Sequence, residues 1–313
     1  MNNTLNSFIK NYFFLWYLFA LFAIFIFIYF FTKDITLPLF ITAIGFIGSI
    51  ICLLSSKIMA KYVHKIKIVT LETGGEAAKL YELVEKLAQK ANLPKTPEIG
   101  IYKSPDCNAF STGFSQSNSL VAFSDTLLKT FTSEEIEAVA AHEVSHIANY
   151  DMLGTVIIEG TVRSIFYFIK FAFIILGVFF AFFSYSSANS GDQNSAEGFD
   201  MFKTMSAWLG IIISTAIMLF GKLISLFYSR HREYKADANA ALLTSPEAMI
   251  SALQKLAQDE NETPISQTEF SCFKITNRPS FLEILSTHPA IEKRIAALKE
   301  QDSETNNDTP LNN

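Results

Sequence analysis

Four long apolar blocks constrain this chain more than any other feature. A run of about 20 apolar residues is long enough to cross a bilayer as a helix. The first block, FFLWYLFALFAIFIFIYFF at 13–31, contains no charged residue. The others run over about 35–55, 164–183 and 207–227. The sequence therefore predicts four transmembrane helices arranged as two hairpins.

The apolar blocks also have alternative interpretations. A cleavable signal peptide would have a shorter apolar core than 13–31 and a small-residue cleavage motif after it. Instead, TKDITLP follows and leads into the second block. The third and fourth blocks each contain one lysine, Lys170 and Lys222, so a buried hairpin of a soluble protein is their alternative. The composition favours the membrane, since 50% of the residues are hydrophobic and 30 are Phe.

Loop charges predict the orientation, because segments rich in Lys and Arg stay in the cytoplasm. The segments after the second and fourth blocks are basic, and the segment between the third and fourth is acidic. The basic residues are Lys57, Lys61, Lys65, Lys67, Arg230, Arg232 and Lys235, and the acidic ones are Asp192, Glu197 and Asp200. Both termini are therefore predicted in the cytoplasm of a multi-pass protein. A net charge of −5 argues against a nucleic-acid partner.

These charges and blocks predict a domain organisation in which one cytoplasmic domain is built from two separate segments. Its first part is 57–156 and its second part is 228–300. The remaining predicted segments are a transmembrane hairpin at 1–56, a second hairpin at 157–227 with an exported acidic loop at about 184–206, and a disordered tail at 301–313.

The motif HEVSH lies in the first cytoplasmic segment, which reads as α+β. Thr132 and Glu135 have the spacing of a capping box, which predicts a helix that begins there. On that helix His142 and His146 lie one turn apart on the same face, where two imidazoles can share one Zn²⁺. Glu143 points about a quarter turn away and can reach a water on the metal as a general base. The alternative is a surface histidine pair, which the apolar flank AVAA disfavours.

The third metal ligand must come from elsewhere, because no further histidine follows closely after HEVSH. The segment SRHREYKADANA continues the fourth apolar block. In it Glu233 and Asp237 are four residues apart on one helical face. Glu233 is a candidate ligand, and Asp237 is a candidate to fix a ligand histidine by hydrogen bonding. His231 is the alternative ligand, although it points to another face of the helix.

Together these motifs resemble HtpX-type membrane zinc metalloproteases, which are bacterial relatives of the eukaryotic CAAX prenyl proteases. HExxH, two spans and SRHREYKADANA occur in the order typical of that family, and NAFSTG, HIANYDM and STHPAIEKRIAAL match as well. The resemblance covers nearly the whole chain. The chain differs from many members at Tyr150, where Gly is common, and at Ala290, where a second Pro is common.

The resemblance implies a fold and a site. The fold is an α-helical membrane protein with four transmembrane helices and a cytoplasmic α+β zincin-like (gluzincin) protease domain. One Zn²⁺ per subunit is bound by His142, His146 and Glu233, with Glu143 as the base. His288 and Arg294 are candidate oxyanion stabilisers, and a structural role in capping the last helix is the alternative for His288.

NAFSTG, at 108–113, contributes a further candidate site. Asn108, Ala109 and Phe110 begin a predicted strand that can pair with an extended substrate if it lies at a sheet edge. The alternative is an ordinary hairpin.

The resulting functional hypothesis is a zinc endopeptidase of a bacterial cytoplasmic membrane. Its expected partners are misfolded or unfolded membrane proteins and the lipid bilayer, in a quality-control role under stress, with the oligomeric state left open. A selective processing protease for a defined or lipidated substrate is one alternative. The other is a non-catalytic scaffold, which predicts that Glu143 is dispensable.

Overall fold

The computed structural model describes residues 36–262 and 289–307. The apolar block at 13–31 and His288 lie outside them. In chain order the elements are α1 (Thr36–Val63), β1 (Lys67–Val69), a 3-10 turn (Leu71–Thr73), α2 (Gly75–Lys90), β2 (Glu98–Tyr102), β3 (Ala109–Ser115), β4 (Asn118–Ser124), α3 (Asp125–Thr130), α4 (Ser133–Ala148), α5 (Asp151–Asn189), α6 (Gln193–Leu243), α7 (Pro246–Glu262) and α8 (Ile291–Asn307).

The chain forms two compact units, and each is assembled from separate stretches of sequence. The helical unit combines the described residues up to 50 with Ile157–Lys222. The mixed unit combines Ile51–Val156 with the described residues from 223 onward. Helices α1, α5 and α6 each contribute residues to both units.

The mixed unit contains a four-stranded sheet with the order β1-β2-β4-β3. The strands β2 and β4 are parallel, and the outer pairs β1/β2 and β3/β4 are antiparallel. Among the strands that the structure describes, this order makes β3 an edge strand. Gly113 adopts φ +141° at a bulge in β3, where an added Cβ would lie 2.3 Å from the carbonyl oxygen of Asn118. Only glycine fits there, because any side chain would collide with β4.

Helix α4 is the centre of the mixed unit. It packs against α2, α7 and the strands β3 and β4. Ala138, Ala140 and Ala141 are fully buried, and these small side chains allow the neighbouring elements to approach the helix axis closely. The largest buried side chains around them include Leu87 of α2 and Leu253 of α7. Burial of residues 138–145 fixes the position of the part of α4 that carries the histidines.

The helical unit contains the most apolar described segments. Helices α5 and α6 are the two described helices that are long and apolar enough to cross a membrane. They approach closely where α6 has glycine. A Cβ on Gly210 would lie 2.7 Å from Phe173, and one on Gly221 would lie 2.2 Å from Val162. Small residues at such contacts are typical of helix pairs in membranes, where close packing replaces the hydrophobic effect between helices.

Large apolar side chains cover the outside of this helix pair. Val178, Phe182, Trp208, Leu219 and Phe220 are each more than 60% exposed. An apolar surface of this extent marks a region that contacts lipid or another protein. Lys170 and Lys222 are also exposed, so neither lysine is buried between the described helices.

Two predicted segments differ from the structure. The loop expected at about 184–206 is a turn at 190–192, because α5 continues to Asn189 and α6 begins at Gln193. Asp192 accepts a hydrogen bond from the Ser195 amide and so caps the early α6. Polar residues lower helix propensity only slightly, so a helix that has already begun continues through them. For the same reason α8 continues to Asn307, through the first residues of the predicted disordered tail.

Candidate metal centre

The helix that carries HEVSH begins as its sequence predicts. The Glu135 amide donates to Thr132 Oγ1 at 3.3 Å, and the Thr132 amide donates to Glu135 Oε2 at 2.8 Å. This reciprocal pair is the predicted capping box, which is confirmed. Ser251 and Lys255 of α7 also contact the Glu135 carboxylate, so the cap ties α4 to a second helix.

His142 and His146 face each other at close range. Their Nε2 atoms are 3.1 Å apart, and the two rings meet edge to face with centroids at 4.7 Å. His142 is 5% exposed and belongs to the interior. Glu143, between them in sequence, is also buried. The imidazoles therefore converge as the one-turn spacing predicts.

Helix α6 contributes the third member of the cluster. Glu233 is buried and lies 3.5 Å from His142 Nε2 and 3.5 Å from His146 Nε2. One ligand atom from each of these three residues lies within 4.8 Å of the other two. This is the metal-compatible group found in the described part of the chain, and it contains Glu233 rather than His231.

A carboxylate lies behind each histidine. Asp237 Oδ1 is 3.0 Å from His142 Nδ1, and Asp151 Oδ2 is 2.7 Å from His146 Nδ1. Each carboxylate favours a proton on the Nδ1 that it faces, which leaves a lone pair on Nε2. Two lone pairs and the Glu233 carboxylate then point at one another. Positive charge at the centre of such a group of acceptors stabilises it, so the donor set fits a divalent metal.

The electrostatics of the cluster also favour positive charge. Burial lowers the pKa of His142, but the carboxylates of Asp237 and Glu233 outweigh it and raise the pKa to about 10. Because a low-dielectric interior strengthens these attractions, the same carboxylates that hold a proton would stabilise a metal ion.

Arg294 of α8 completes the buried network. Its Nε and Nη2 atoms donate to Asp237 at 2.7 and 2.5 Å, and Nη1 lies 3.6 Å from Glu233. The Arg294 guanidinium outweighs the effect of burial and lowers the pKa of the Asp237 carboxyl. Asp237 therefore remains ionised between a histidine and an arginine.

The remaining predicted residues lie at the sheet edge. The Asn108 amide donates to Ser124 Oγ at 3.0 Å, just before β3 begins. Ala109 and Phe110 then pair with Phe123 and Ala122 of β4. Their strand is the edge strand that the substrate-pairing hypothesis requires, and it is also part of a hairpin.

Sequence reasoning missed Asp151. It lies five residues after His146, a spacing that does not place two residues on one helical face. The chain reverses between them because α4 ends and Tyr150 adopts φ +57°. Asp151 is visible in the segment HIANYD, but its contact with His146 depends on the backbone turn at Tyr150.

Comparison with known proteins agrees with this geometry. Residues 75–302 match Peptidase family M48. The chain is 39% identical to "Protease HtpX" of Shewanella sp. (strain W3-18-1) over 267 residues, which are 84% of this chain and 88% of that protein. It is 40% identical to "Protease HtpX homolog" of Methylacidiphilum infernorum (isolate V4) over 271 residues, with shares of 84% and 85%.

A solved structure shares the fold. "Crystal Structure of S. mikatae Ste24p" superposes with a TM-score of 0.56 and 21% identity, over 94% of this chain and 66% of that chain. The helix with HExxH and the His–His–Glu cluster define a metal-dependent peptidase. The chain belongs to peptidase family M48. With its two apolar helices it is a membrane metalloprotease, which confirms the enzyme class predicted from the sequence.

Proposed function

We propose that this metalloprotease binds one Zn²⁺ per subunit through His142, His146 and Glu233. The supporting observation is the convergence of their buried ligand atoms within 4.8 Å. Two imidazoles and one carboxylate are a ligand set typical of catalytic zinc, with a fourth position left for water. Asp237 and Asp151 hold the two histidines in the tautomer that binds metal.

Glu143 is the proposed general base. A bound zinc ion would supply Lewis-acid chemistry, which polarises the scissile carbonyl and lowers the pKa of a water. Glu143 removes a proton from the attacking water and then delivers it to the leaving amine. Its position on α4, directly after His142, keeps it beside the cluster without occupying a ligand position.

Arg294 and His288 are the candidate oxyanion stabilisers. The Arg294 guanidinium donates two hydrogen bonds to Asp237, and this supports a role in positioning the ligand network. His288 lies outside the described residues, and its oxyanion role stays a prediction.

The substrate is proposed to bind as an extended chain along β3. An edge strand presents backbone donors and acceptors to a partner strand. Binding by backbone hydrogen bonds depends little on the amino-acid sequence of the substrate. Unfolded segments therefore suit this surface better than folded ones. Asn108, Ala109 and Phe110, at the start of the strand, are the proposed first contacts. This mode supports misfolded membrane proteins as substrates, in a quality-control role.

The proposed setting is a bacterial cytoplasmic membrane with four spans and both termini and the active site on the cytoplasmic side. The basic segments around Lys57 and Arg232 and the acidic turn near Asp192 support this orientation.

One experiment tests metal, base and activity together. Detergent-purified protein is incubated with unfolded β-casein and zinc, as wild type, Glu143→Gln and Glu134→Gln. Glu134 is an exposed acid on the same helix and serves as the control. We expect zinc-dependent cleavage by wild type and Glu134→Gln, and loss of cleavage by Glu143→Gln with its zinc content unchanged. Equal cleavage by all three proteins would refute the assignment of Glu143 as the general base.

The same assay separates the alternatives. If the wild type binds zinc, is folded and leaves β-casein intact, a selective processing protease is favoured over a quality-control enzyme. If, in addition, Glu143→Gln restores the function of a strain that lacks this protein, the scaffold hypothesis is favoured, because that hypothesis predicts that Glu143 is dispensable.

A further inference from the structure

A cleft adjoins the metal cluster at the far end of the edge strand. Its walls are the end of β3 and the junction between α4 and α5, and His146 itself lines it. Gln116 Nε2 donates to the Ala148 carbonyl at 2.9 Å, which fixes one wall to the other. A peptide that lies along β3 with its scissile bond at the cluster would place a neighbouring side chain over this cleft.

The rim of the cleft is apolar. Phe114, Tyr150 and Leu153 line it and are 40%, 54% and 43% exposed. Single exposed apolar residues are common on protein surfaces, but three around one cleft beside a metal ligand form a patch suited to binding. The other described lining residues include no Asp, Glu, Lys or Arg. A charged substrate side chain would therefore lose hydration here without gaining a partner.

Tyr150 holds its ring there in an unfavourable backbone conformation. Its φ of +57° lies in the left-handed region. Tyr150 directly follows Asn149, the C-cap residue of α4, and glycine is the usual residue at that position. A bulky side chain is disfavoured in that region. Backbone strain of this kind is typical of functional positions. Glycine would relieve the strain, so the presence of tyrosine indicates that its side chain has a role.

We infer that Phe114, Tyr150 and Leu153 form the subsite that selects a large apolar residue next to the scissile bond. The cleft holds about 20 Å³ of space that a water-sized sphere can enter, roughly enough for one water. The substrate side chain therefore packs across the rim, chiefly against the Tyr150 ring. This inference rests on the proposed function, because the cleft selects substrate only if cleavage occurs at the His142–His146–Glu233 cluster.

The test begins with cleavage sites in unfolded β-casein, mapped by mass spectrometry for the wild type. One cleaved segment is then synthesised as internally quenched peptides with Phe, Leu, Ala, Lys or Asp on either side of the scissile bond. At one of the two positions we expect kcat/KM to favour Phe and Leu over Ala by about tenfold or more, as apolar pockets discriminate. Lys and Asp should be the poorest.

Three variants connect that preference to Tyr150. Tyr150→Phe should keep it, because the ring remains, and Tyr150→Gly should reduce it several-fold. Lys65→Gly is the matched control, since Lys65 is exposed, has φ +49° and does not line the cleft. Each glycine relieves the strain of a positive φ but raises the entropy of the unfolded chain, so we expect only small Tm changes in both variants. A loss of selectivity in Tyr150→Gly with a Tm close to that of Lys65→Gly would then be due to the missing ring and not to misfolding.

Two results would overturn the inference while the proposed function stands. One is normal zinc-dependent cleavage with no apolar preference at either position. The other is a preference that Tyr150→Gly leaves unchanged. Absence of cleavage by the wild type, or cleavage by Glu143→Gln, would instead overturn the proposed function and this inference with it.

Discussion

Asp151 and Asp237 determine which nitrogens of His142 and His146 face the cluster. Both carboxylates sit on Nδ1, so both Nε2 atoms point inward. The two acids differ in their other contacts. Asp237 also accepts two hydrogen bonds from Arg294, whereas the Asp151 carbonyl accepts one from Arg232 at 2.9 Å. His142 therefore contacts a carboxylate that is itself paired with Arg294, whereas among the residues that the structure describes no arginine pairs in this way with the carboxylate that contacts His146.

Asparagine at either position should weaken zinc binding. Loss of the carboxylate frees the histidine tautomer, and such changes reduce metal affinity by about 10- to 100-fold. We expect this for Asp151→Asn and Asp237→Asn in competition with a chromophoric chelator, with Glu134→Gln as control. Asp237→Asn should also lower the Tm more, because it leaves the buried Arg294 poorly compensated. Wild-type zinc affinity in both variants would contradict the role given to the carboxylates.

At the scale of one helix, the capping box of α4 controls the start of the segment that carries the site. Thr132→Ala removes the acceptor for the Glu135 amide and should cost about 1 kcal/mol of stability. Thermal unfolding in detergent checks this. Thr130→Ala is the control, since Thr130 is exposed and ends α3. The same loss from both substitutions would show that the cap is not the cause.

The same cap makes stability depend on pH. Burial raises the pKa of the Glu135 carboxyl, but hydrogen bonds from the Thr132 amide and Ser251, and the Lys255 charge, outweigh it and hold the pKa below its ordinary 4.5. A depressed carboxyl pKa stabilises the fold above the unfolded value and loses that effect as pH falls through the folded value. The Tm difference between wild type and Glu135→Gln should be full at pH 7 and shrink below about pH 4. A constant difference would contradict this.

The elements of the mixed unit were largely predictable, and the contacts between them were not. The strands EIGIY, AFSTGFS and NSLVAFS stand between Pro, Ser and Asn turns, and α4 begins at a recognisable cap. These signals are local. The parallel pairing of β2 with β4, and the contact of Asp151 with His146, depend on how the chain turns between elements. The loop predicted at about 184–206 is mostly helical, because polar residues alone do not end a helix. The continuation of α6 beyond the fourth apolar block is as the sequence predicts.

At the scale of the molecule, the candidate metal site draws its residues from both segments of the mixed unit. His142 and His146 precede the apolar residues of α5 and α6, and Glu233 follows them. A metal ion at the cluster would therefore join parts of the chain that are far apart in sequence. Ligands that bind only the folded state stabilise it, by about 4 kcal/mol at a thousand times Kd.

Metal removal should accordingly lower thermal stability. With 1,10-phenanthroline in excess we expect the Tm of the wild type to fall by roughly 10 °C, from the usual relation between stability and Tm. Restored zinc should reverse the change. His142→Ala should start from the low value and respond to neither reagent. A wild-type Tm that chelation leaves unchanged would show that the cluster does not hold a stabilising metal.

The proposed orientation of the whole molecule rests on its loop charges and is testable in cells. An epitope inserted at Gly191, in the turn beside Asp192, should be reached by antibody in intact spheroplasts, because segments with few Lys and Arg residues are the ones exported. Green fluorescent protein fused after Asn313 should fluoresce, because it folds in the cytoplasm. Glu→Lys and Asp→Lys changes at Asp192, Glu197 and Asp200 should weaken the charge bias and reduce epitope exposure. An epitope that antibody cannot reach, together with a fusion protein that does not fluoresce, would contradict the proposed orientation. The protease site would then lie on the outer face.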